Sequence, residues 1–272
     1  MSVESITLVN GVRSEQLPAD DRGLAYGDGL FETFRVSNGR VTLEDLHFQR
    51  LQRGAERLRL SIDVSELRRE VAEVSSTLSE GVLKLTVTRG SGPRGYLLPE
   101  PQRPVRIIQT GPLPAYLDAY QRDGVRLFRC KTTLARQPLL AGIKHLNRLE
   151  QVLARAEWSD PNIAEGLLSD TEGAIIEGTM SNVFLRIDGG WVTPDLSQSG
   201  VQGVMRDYLI QNIREAGQPV SVRRIDQREL ASCSEWFCCN SVMGVWPVVA
   251  MGEMEWPIGA ATRTVQAYAL HA

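Results

Sequence analysis

The order of predicted strands and helices constrains the fold of this chain more than any other feature. In the first half, strand-like segments (ITLVN, LFETFRV, VLKLTVTR and VRIIQT) surround two amphipathic helices predicted over 44–60 and 65–78. In the second half, short strands separated by turns predominate, with helices predicted over 145–158 and after the GVQG segment. Because helices do not alternate strictly with strands, a doubly wound parallel sheet is disfavoured and an α+β fold is expected.

A segment rich in Gly, Pro and polar residues divides the chain near its middle. This segment, GPLPAYLDAYQRDG, has the composition of a linker. We therefore predict a smaller α+β N-terminal domain over 1–112, a linker over 113–122 and a larger, mostly β C-terminal domain over 123–272. A chain of 272 residues is long enough to build a core in each domain.

Composition and charge disfavour several classes of function. Hydrophobic residues make up 42% and charged residues 23% of the chain, as in soluble globular proteins. The net charge of −3 argues against nucleic acid as a partner. No apolar run approaches the length of a membrane span, and the N-terminus lacks the basic and apolar segments of a secretory signal. We therefore expect neither a membrane partner nor export.

The four cysteines, Cys130, Cys233, Cys238 and Cys239, have the spacing neither of a metal site nor of a disulfide framework. Only three His residues are present to complete a metal site. Buried, reduced thiols are the expected state, and a redox or metal role is the less common alternative. With no export signal, such thiols predict a cytoplasmic protein without a bound metal.

The GSGPRG segment satisfies the glycine spacing of a dinucleotide-binding loop. In such a loop the glycines open a helix whose N-terminus holds the pyrophosphate. Here Pro93 lies inside the segment and further prolines follow, so no helix is expected to begin there. We predict a Gly/Pro loop instead. Its Arg94 is of interest because a guanidinium on a loop can bind a substrate carboxylate.

Lysine is scarce in this chain: it occurs only at Lys84, Lys131 and Lys144. A lysine that acts as a nucleophile or base must lose its proton near neutral pH, which requires desolvation or nearby cations. Lys144 follows the apolar segment LLAGI, whereas Lys84 and Lys131 have polar surroundings. Lys144 is therefore the candidate catalytic lysine, although its position alone is more commonly that of a structural or helix-flanking charge.

Three further positions would suit a ligand that carries a phosphate and a ring nitrogen. The amides of Val204–Met205, which follow GVQG at a predicted helix start, could hold the phosphate. Arg50 borders the apolar stripe of the first helix and could pair with the same group. Glu177 follows two isoleucines, and a carboxylate in that setting needs a partner. Simple helix entry, a solvated arginine and a turn carboxylate are the common alternatives.

Six segments taken in order resemble one enzyme family. LAYGDGLFETFRV, HFQRL, GIKHLNRLEQVLAR, EGTMSNVF, GVQGVMR and VWPV span residues 24–248. Together they resemble the fold-type IV pyridoxal-phosphate enzymes, which include branched-chain and D-amino-acid aminotransferases and aminodeoxychorismate lyases. RGSGPRGY and the segment around Lys144 are most similar to the lyases. His145 supports this, because aminotransferases more often have Ser or Thr after the lysine.

The resemblance implies a role for each candidate residue. Pyridoxal 5'-phosphate would be the cofactor, and Lys144 would hold it covalently while Glu177 faced its ring nitrogen. The phosphate would be held by Arg50, by the Val204–Met205 amides and by the Asn240–Ser241–Val242 turn, which is poorer in hydroxyl groups than is common in the family. The residues implied to face the substrate are Thr33, Arg94 and Tyr96. A homodimer that acts on a small molecule is expected.

The expected reaction converts 4-amino-4-deoxychorismate to 4-aminobenzoate and pyruvate in folate biosynthesis. Lys144 would remove a proton from the amine-bearing carbon, and Thr33 or Lys144 would supply the proton that pyruvate needs. Two alternatives stay open. One is a D-amino-acid or branched-chain aminotransferase of the same fold type, and the other is a protein that binds a metabolite without turnover.

Overall fold

The computed structural model describes residues 5–115 and 117–272. The start of the predicted N-terminal domain and one position of the predicted linker, Tyr116, lie outside the described residues. The chain divides into two compact units: the residues up to Pro114 together with Ile143–Asn147, and Ala115–Gly142 together with Arg148–Ala272. The boundary after Pro114 falls inside the predicted linker. Helix α4 (Leu117–Asp123) begins within that linker.

The first unit is built on a six-stranded antiparallel sheet with the strand order β2-β1-β6-β5-β3-β4. Its strands are β1 (Thr7–Val9), β2 (Val12–Arg13), β3 (Gly29–Ser37), β4 (Arg40–Val41), β5 (Glu80–Thr88) and β6 (Val105–Gly111). Its helices are α1 (Arg22–Tyr26), α2 (Glu44–Leu58) and α3 (Val64–Ser75). The two helices predicted for this half are confirmed as α2 and α3, and the four predicted strands are confirmed as β1, β3, β5 and β6.

Strand β3 follows the alternation of its sequence. Leu30, Phe34 and Val36 are buried. The residues that alternate with them along the strand lie on the other face and are half-buried. Glu32 occupies a position of the buried face as well. A carboxylate in the middle of a buried row requires partners on the helix that packs there, and α2 provides them.

The second unit is built on a nine-stranded mixed sheet with the order β12-β11-β10-β13-β14-β7-β8-β9, with β15 paired to β14. Its strands are β7 (Val125–Leu134), β8 (Ile163–Asp170), β9 (Ile175–Gly178), β10 (Asn182–Ile187), β11 (Gly190–Pro194), β12 (Val220–Arg223), β13 (Glu235–Asn240), β14 (Gly244–Met251) and β15 (Met254–Glu255). Its further helices are α5 (Leu149–Arg155), α6 (Val204–Glu215), a 3-10 helix (Gln227–Ser232) and α7 (Ala260–Ala269). The α+β class with a mostly β second half is confirmed.

The predicted helix over 145–158 is wrong in its first turn. Residues 143–147 are not helical and pair with the start of β3, where Leu30 and His145 form an antiparallel bridge. The helix begins only at Leu149 and ends at Arg155. The residues whose apolar spacing predicted a single long helix form a segment paired to β3 followed by a short helix. Backbone pairing to β3 outweighs the local helical preference.

The GSGPRG segment lies in a loop. The chain runs from the end of β5 to the start of β6 without a helix, as its prolines predicted. The loop is attached to α1, since Arg22 donates from Nη1 to the carbonyl oxygen of Gly95 at 2.9 Å. Nowhere in residues 5–115 or 117–272 is there a helix both long and apolar enough to cross a membrane.

A buried arginine ties together the ends of several elements in the first unit. Arg89 donates from Nε and Nη2 to the two carboxylate oxygens of Asp28, at 2.8 Å each. It also donates to the carbonyl oxygens of Leu58 and Arg59 at 2.8 Å, where α2 ends. Asp28 in turn accepts from Arg22 Nε at 2.9 Å. Burial raises the pKa of Asp28, but hydrogen bonds from Arg89 and Arg22 outweigh that effect and lower it.

We predict that Arg89→Met destabilises the protein by about 3–5 kcal/mol, because it removes both Arg89 bonds to the Asp28 carboxylate and those to the carbonyl oxygens of Leu58 and Arg59. Chemical denaturation at neutral pH measures the change. The control is Arg69→Met, which removes an exposed ion pair with Glu73 and should change stability by less than about 0.5 kcal/mol. Equal effects of the two substitutions would contradict the prediction.

Candidate active site

Lys144 lies on the non-helical segment 143–147, which pairs with β3. The Phe31 amide donates to the Lys144 carbonyl oxygen at 3.0 Å, and the Leu146 amide donates to the Gly29 carbonyl oxygen at 3.1 Å. The Lys144 ammonium lies over the Phe31 ring, 4.3 Å from its centroid. The aromatic face attracts the ammonium group, and the half-buried position removes part of its water. Partial desolvation is one of the conditions that a catalytic lysine requires.

Thr33 lies two residues beyond Phe31 on β3, so the two side chains share a face of the sheet. Its cross-strand neighbour on β5 is Lys84. The Lys84 ammonium lies 5.5 Å from the centroid of the same Phe31 ring that Lys144 contacts. From its sequence neighbours, Lys84 was predicted only to have polar surroundings. Pairing β5 with β3 in register would have placed it beside Thr33.

Arg50 is buried on α2 and is held by Glu32. Its Nε donates to Glu32 Oε1 at 2.8 Å, and its Nη2 forms a second, shorter bond to Oε2. His47 Nδ1 lies 2.6 Å from the same Oε2. Burial alone would raise the pKa of Glu32, but the charge of Arg50 and the bonds from Arg50 and His47 lower it to about 2. Glu32 is therefore ionised at neutral pH and fixes the orientation of Arg50.

The sequence contained a signal for this buried pair. In LFETFRV, Glu32 alternates with apolar residues of the buried face, and His47 and Arg50 lie on the face of α2 that packs there. A carboxylate at such a position predicts a cationic partner. Arg50 alone was predicted at this position, so Glu32 was missed.

Arg94 and Tyr96 are exposed on the loop that follows β5. The Tyr96 ring packs against the Tyr26 ring of α1 with the centroids 5.4 Å apart. The bond from Arg22 to the Gly95 carbonyl oxygen holds the residue between them. The loop thus presents both candidate side chains from an anchored backbone.

Glu177 is buried at the end of β9 in the second unit. Its Oε2 accepts the Val201 amide at 2.7 Å. Gly200, with φ of +83°, permits this approach: a Cβ there would lie 2.7 Å from Ile176 Cγ2 and 3.1 Å from Glu177 Oε2. The glycine therefore brings the backbone of the following turn against the carboxylate.

The helix after that turn, α6, begins as predicted, with Val204 as its first residue and Gly203 as its N-cap. Gly203 has no side chain that could cap the amides of Val204 and Met205, so the first turn of this helix can accept an anion. A Cβ at Gly203 would overlap Asn182 Oδ1. Asn182 also donates to the Val201 carbonyl oxygen at 2.9 Å, which fixes the turn that Glu177 holds from the other side.

The Asn240–Ser241–Val242 turn follows β13. Asn240 Oδ1 accepts the amides of Val242 at 2.9 Å and Met243 at 2.8 Å. The Val242 amide is therefore already bonded within the turn. This bond competes with its predicted role as a hydrogen-bond donor to the phosphate. Asn240 Nδ2 donates to the Met180 carbonyl oxygen at 3.0 Å, so this turn is tied to the one that follows Glu177.

These donors fit pyridoxal phosphate. A buried carboxylate suits its ring nitrogen, and an uncapped helix N-terminus suits its phosphate. In the second unit the two features are joined by one short turn, since Val201 bonds to Glu177 and Val204 opens α6. The first unit separately contains the lysine that lies against an aromatic ring.

The cysteines take no part in this chemistry. All four are free, and burial raises the pKa of Cys130 to about 12 and that of Cys233 to about 11. Burial also raises the pKa of Cys238 and Cys239. Such thiols are unreactive at neutral pH. The described part of the chain contains no group of His, Cys, Asp and Glu side chains that could hold a metal ion.

Comparison with known proteins connects these features to a family. Residues 29–251 match the model of the amino-transferase class IV family. Aminodeoxychorismate lyase of Vibrio harveyi is 35% identical over 264 residues, which cover 95% of this chain and 97% of that protein. The crystal structure of 4-amino-4-deoxychorismate lyase from Pseudomonas aeruginosa is 49% identical, with a TM-score of 0.94 over 96% of this chain and 97% of that one. A putative branched-chain-amino-acid aminotransferase of Methanocaldococcus jannaschii is 30% identical over 84% of this chain and 80% of its own.

We predict that the Glu32 ion pair makes stability depend on pH in the acid range. The pKa of Glu32 lies at about 2 in the folded protein against an ordinary value of 4.5, so its contribution is complete above about 4.5 and is lost as the pH falls towards 2. Denaturant unfolding at several pH values between 6 and 2 measures this. Glu32→Gln should lower stability at pH 6 by about 3–5 kcal/mol and flatten this part of the curve.

The matched control is Glu80→Gln, which alters an exposed carboxylate of the same sheet. It should leave both the stability at pH 6 and the slope nearly as in the wild type. Parallel curves for the wild type and Glu32→Gln would show that Glu32 does not carry the acid dependence.

Proposed function

The chain belongs to the amino-transferase class IV family, and we propose that it is a pyridoxal-phosphate-dependent lyase that converts 4-amino-4-deoxychorismate to 4-aminobenzoate and pyruvate for folate biosynthesis. The observation that carries the proposal is the similarity over nearly the whole chain to the lyase of Pseudomonas aeruginosa, at 49% identity. The aminodeoxychorismate lyase of Vibrio harveyi supports the same assignment. His145 after the lysine agrees with it.

The residues of the chain divide the work of binding the cofactor. Lys144 holds it covalently, Glu177 faces its ring nitrogen and the Val204–Met205 amides bind its phosphate. Arg50, oriented by Glu32, supplies positive charge for the same phosphate. Ser241 borders the phosphate from its turn. When bound, the cofactor supplies an electron sink for the carbon that carries the substrate amine.

Lys144 then acts as the base. Its amine takes the proton from the amine-bearing carbon of the substrate, and the bond between the neighbouring ring carbon and the enolpyruvyl oxygen breaks. The enolpyruvyl group receives one proton at carbon and leaves as pyruvate, so no oxidant or reductant is consumed. Thr33 or the protonated Lys144 supplies that proton. Because the ring becomes aromatic, the overall reaction is strongly favourable.

The substrate carries two carboxylates, and the first unit offers cations for them. Arg94 and Tyr96 face the substrate from their anchored loop, the former as a guanidinium that can bind a carboxylate through two hydrogen bonds. Lys84 adds a second cation beside Thr33. Pairing of both carboxylates would select this substrate over an amino acid with a single carboxylate.

An aminotransferase for branched-chain or D-amino acids is the second candidate. The relative from Methanocaldococcus jannaschii at 30% identity favours it, since an aminotransferase would use the same lysine and Glu177. The two candidates differ in their requirement for a second substrate: an aminotransferase needs a keto acid, and the lyase does not.

We predict that Lys144→Ala lowers the rate of 4-aminobenzoate formation by at least about 10³-fold, because both the covalent link and the base are lost. The assay supplies 4-amino-4-deoxychorismate to the purified protein and measures 4-aminobenzoate and pyruvate together. The wild type should form them in equal amounts without added keto acid. Lys131→Ala, which alters an exposed lysine, is the control and should retain wild-type activity.

Near-wild-type activity of Lys144→Ala would assign the role to another lysine. Transfer of the amino group to a keto acid, with no 4-aminobenzoate formed, would replace the lyase by the aminotransferase. A wild-type protein that neither binds the cofactor nor turns over either substrate would support a metabolite-binding protein instead.

We also propose that the enzyme is a homodimer of the cytoplasm. Helix α5 supports the dimer: Leu149, Val152 and Leu153 are 76%, 60% and 62% exposed, and Ala154 is its buried residue. Apolar residues crowded on one short helix are typical of a surface that another chain covers. The four free thiols are typical of a reducing compartment.

We predict that Leu153→Glu weakens the dimer by placing a charge on this surface. Sedimentation analysis at several protein concentrations should show a dimer for the wild type and an increased monomer fraction for the variant. Leu270→Glu is the control, because Leu270 is also exposed but lies at the end of α7. Identical dissociation of both variants, or a monomeric wild type, would refute the role of α5.

A further inference from the structure

We infer that Glu165 is a positioning residue of the active site, which sets Glu177 and the Asn240–Val242 turn through the connection between β9 and β10. Glu165 lies at the start of β8 and is fully buried. It touches neither substrate nor cofactor in the proposed mechanism. The inference rests on the proposed function because it takes Glu177 to be the partner of the ring nitrogen.

Five donors converge on the Glu165 carboxylate. Oε1 accepts the amides of Gly166 at 2.8 Å and Thr179 at 2.9 Å, together with the Thr179 hydroxyl. Oε2 accepts the Met180 amide at 3.1 Å and the Ser181 hydroxyl at 2.8 Å. Three of the five are backbone amides, which can only donate, so the arrangement is built for an acceptor on both oxygens. Backbone amides that converge on a carboxylate in this way resemble an anion-binding nest, with the carboxylate as the anion.

The charge of Glu165 is compensated by these dipoles alone. In the part of the chain that the structure describes, no Lys, Arg or His forms an ion pair with Glu165. Burial raises the pKa of its carboxyl group, and the hydrogen bonds from the turn oppose that effect. An isolated buried carboxylate is costly to keep for stability alone, since an apolar side chain would fill the same space. The cost points to a positional role.

The turn that Glu165 holds is continuous with Glu177. Gly178 directly follows Glu177, and its amide donates to the Ser181 carbonyl oxygen at 2.6 Å. A Cβ at Gly178 would lie 2.9 Å from Glu165 Cδ and would overlap Ser181 Oγ. The backbone next to Glu177 therefore rests directly on the Glu165 carboxylate.

The other end of the same turn reaches the predicted phosphate side. The Met180 carbonyl oxygen accepts from Asn240 Nδ2, and Asn240 Oδ1 holds the amides of Val242 and Met243. A shift of Met180 would therefore move Asn240 and its turn. One carboxylate thus fixes two features that must keep a set separation to bind one rigid cofactor.

The test uses Glu165→Gln, which keeps the size of the side chain but replaces one acceptor oxygen by a donor that faces the donors of the turn. Three quantities are compared with the wild type: the affinity of the apo-protein for pyridoxal phosphate, the absorption maximum of the bound cofactor, and hydrogen exchange of the 178–181 amides in the apo-protein. We expect at least about tenfold weaker binding, a shifted absorption maximum and faster exchange in this turn. In steady-state turnover, kcat should fall by a larger factor than the factor by which KM changes.

Glu157→Gln is the matched control. Glu157 also accepts two backbone amides, those of Lys131 at 2.7 Å and Thr132 at 2.8 Å, but it makes no bond to the 178–181 turn. It should leave cofactor affinity and the absorption maximum unchanged. If Glu165→Gln behaves like Glu157→Gln, the inference is overturned.

A second variant decides the question should Glu165→Gln fail to fold. Thr179→Val removes one hydroxyl donor and keeps the amide, so it should weaken cofactor binding about threefold at unchanged thermal stability. Unchanged binding by Thr179→Val would then overturn the inference. If the wild type itself binds no pyridoxal phosphate, the proposed function fails, and hydrogen exchange in the 178–181 turn still decides whether Glu165 holds it.

Discussion

Buried carboxylates that accept hydrogen bonds from fixed donors hold the parts of the proposed active site in place. Glu32 orients Arg50, Glu177 holds the turn before α6, and Glu165 holds the turn before β10. Each carboxylate loses hydration on folding, and each regains hydrogen bonds from the donors that surround it. Because a missing donor would leave a buried charge uncompensated, the surrounding backbone is restricted to one arrangement. Preorganisation of this kind is what a site for a rigid, charged cofactor needs.

The way each carboxylate is compensated differs with its task. Glu32 has a full positive charge beside it, and its pKa falls to about 2. Glu165 is surrounded by amide and hydroxyl dipoles, and burial raises its pKa. An ion pair fixes a single side chain, whereas a ring of amides fixes the course of the backbone. The first fits the phosphate-binding role proposed for Arg50, and the second fits the proposed role of the turn in separating two binding features.

Local pattern predicted most of the elements but not the contacts that complete the site. Alternation predicted β3 and β5, and the apolar stripe predicted α2, because the periodicity of burial is written into neighbouring residues. The pairing of residues 143–147 involves β3, which is more than 100 positions away, so local spacing predicted a helix there instead. Lys144 gained its role from the resemblance of six segments, since its own neighbours left a structural role open. Glu165 gave no local signal, because its donors at 179–181 are brought to it only by the pairing of β8 with β9.

Glycine residues allow backbone amides to approach the carboxylates of Glu165 and Glu177. Gly178 rests on Glu165, and Gly200 brings the Val201 amide to Glu177. Gly203 leaves the first turn of α6 uncapped and packs on Asn182. At each of these positions a Cβ would crowd the carboxylate or amide side chain that packs there. The glycines of the EG and GVQG segments were therefore recognisable in the sequence for a physical reason. The glycines that matter here lie where backbone amides, rather than side chains, must approach a negative charge.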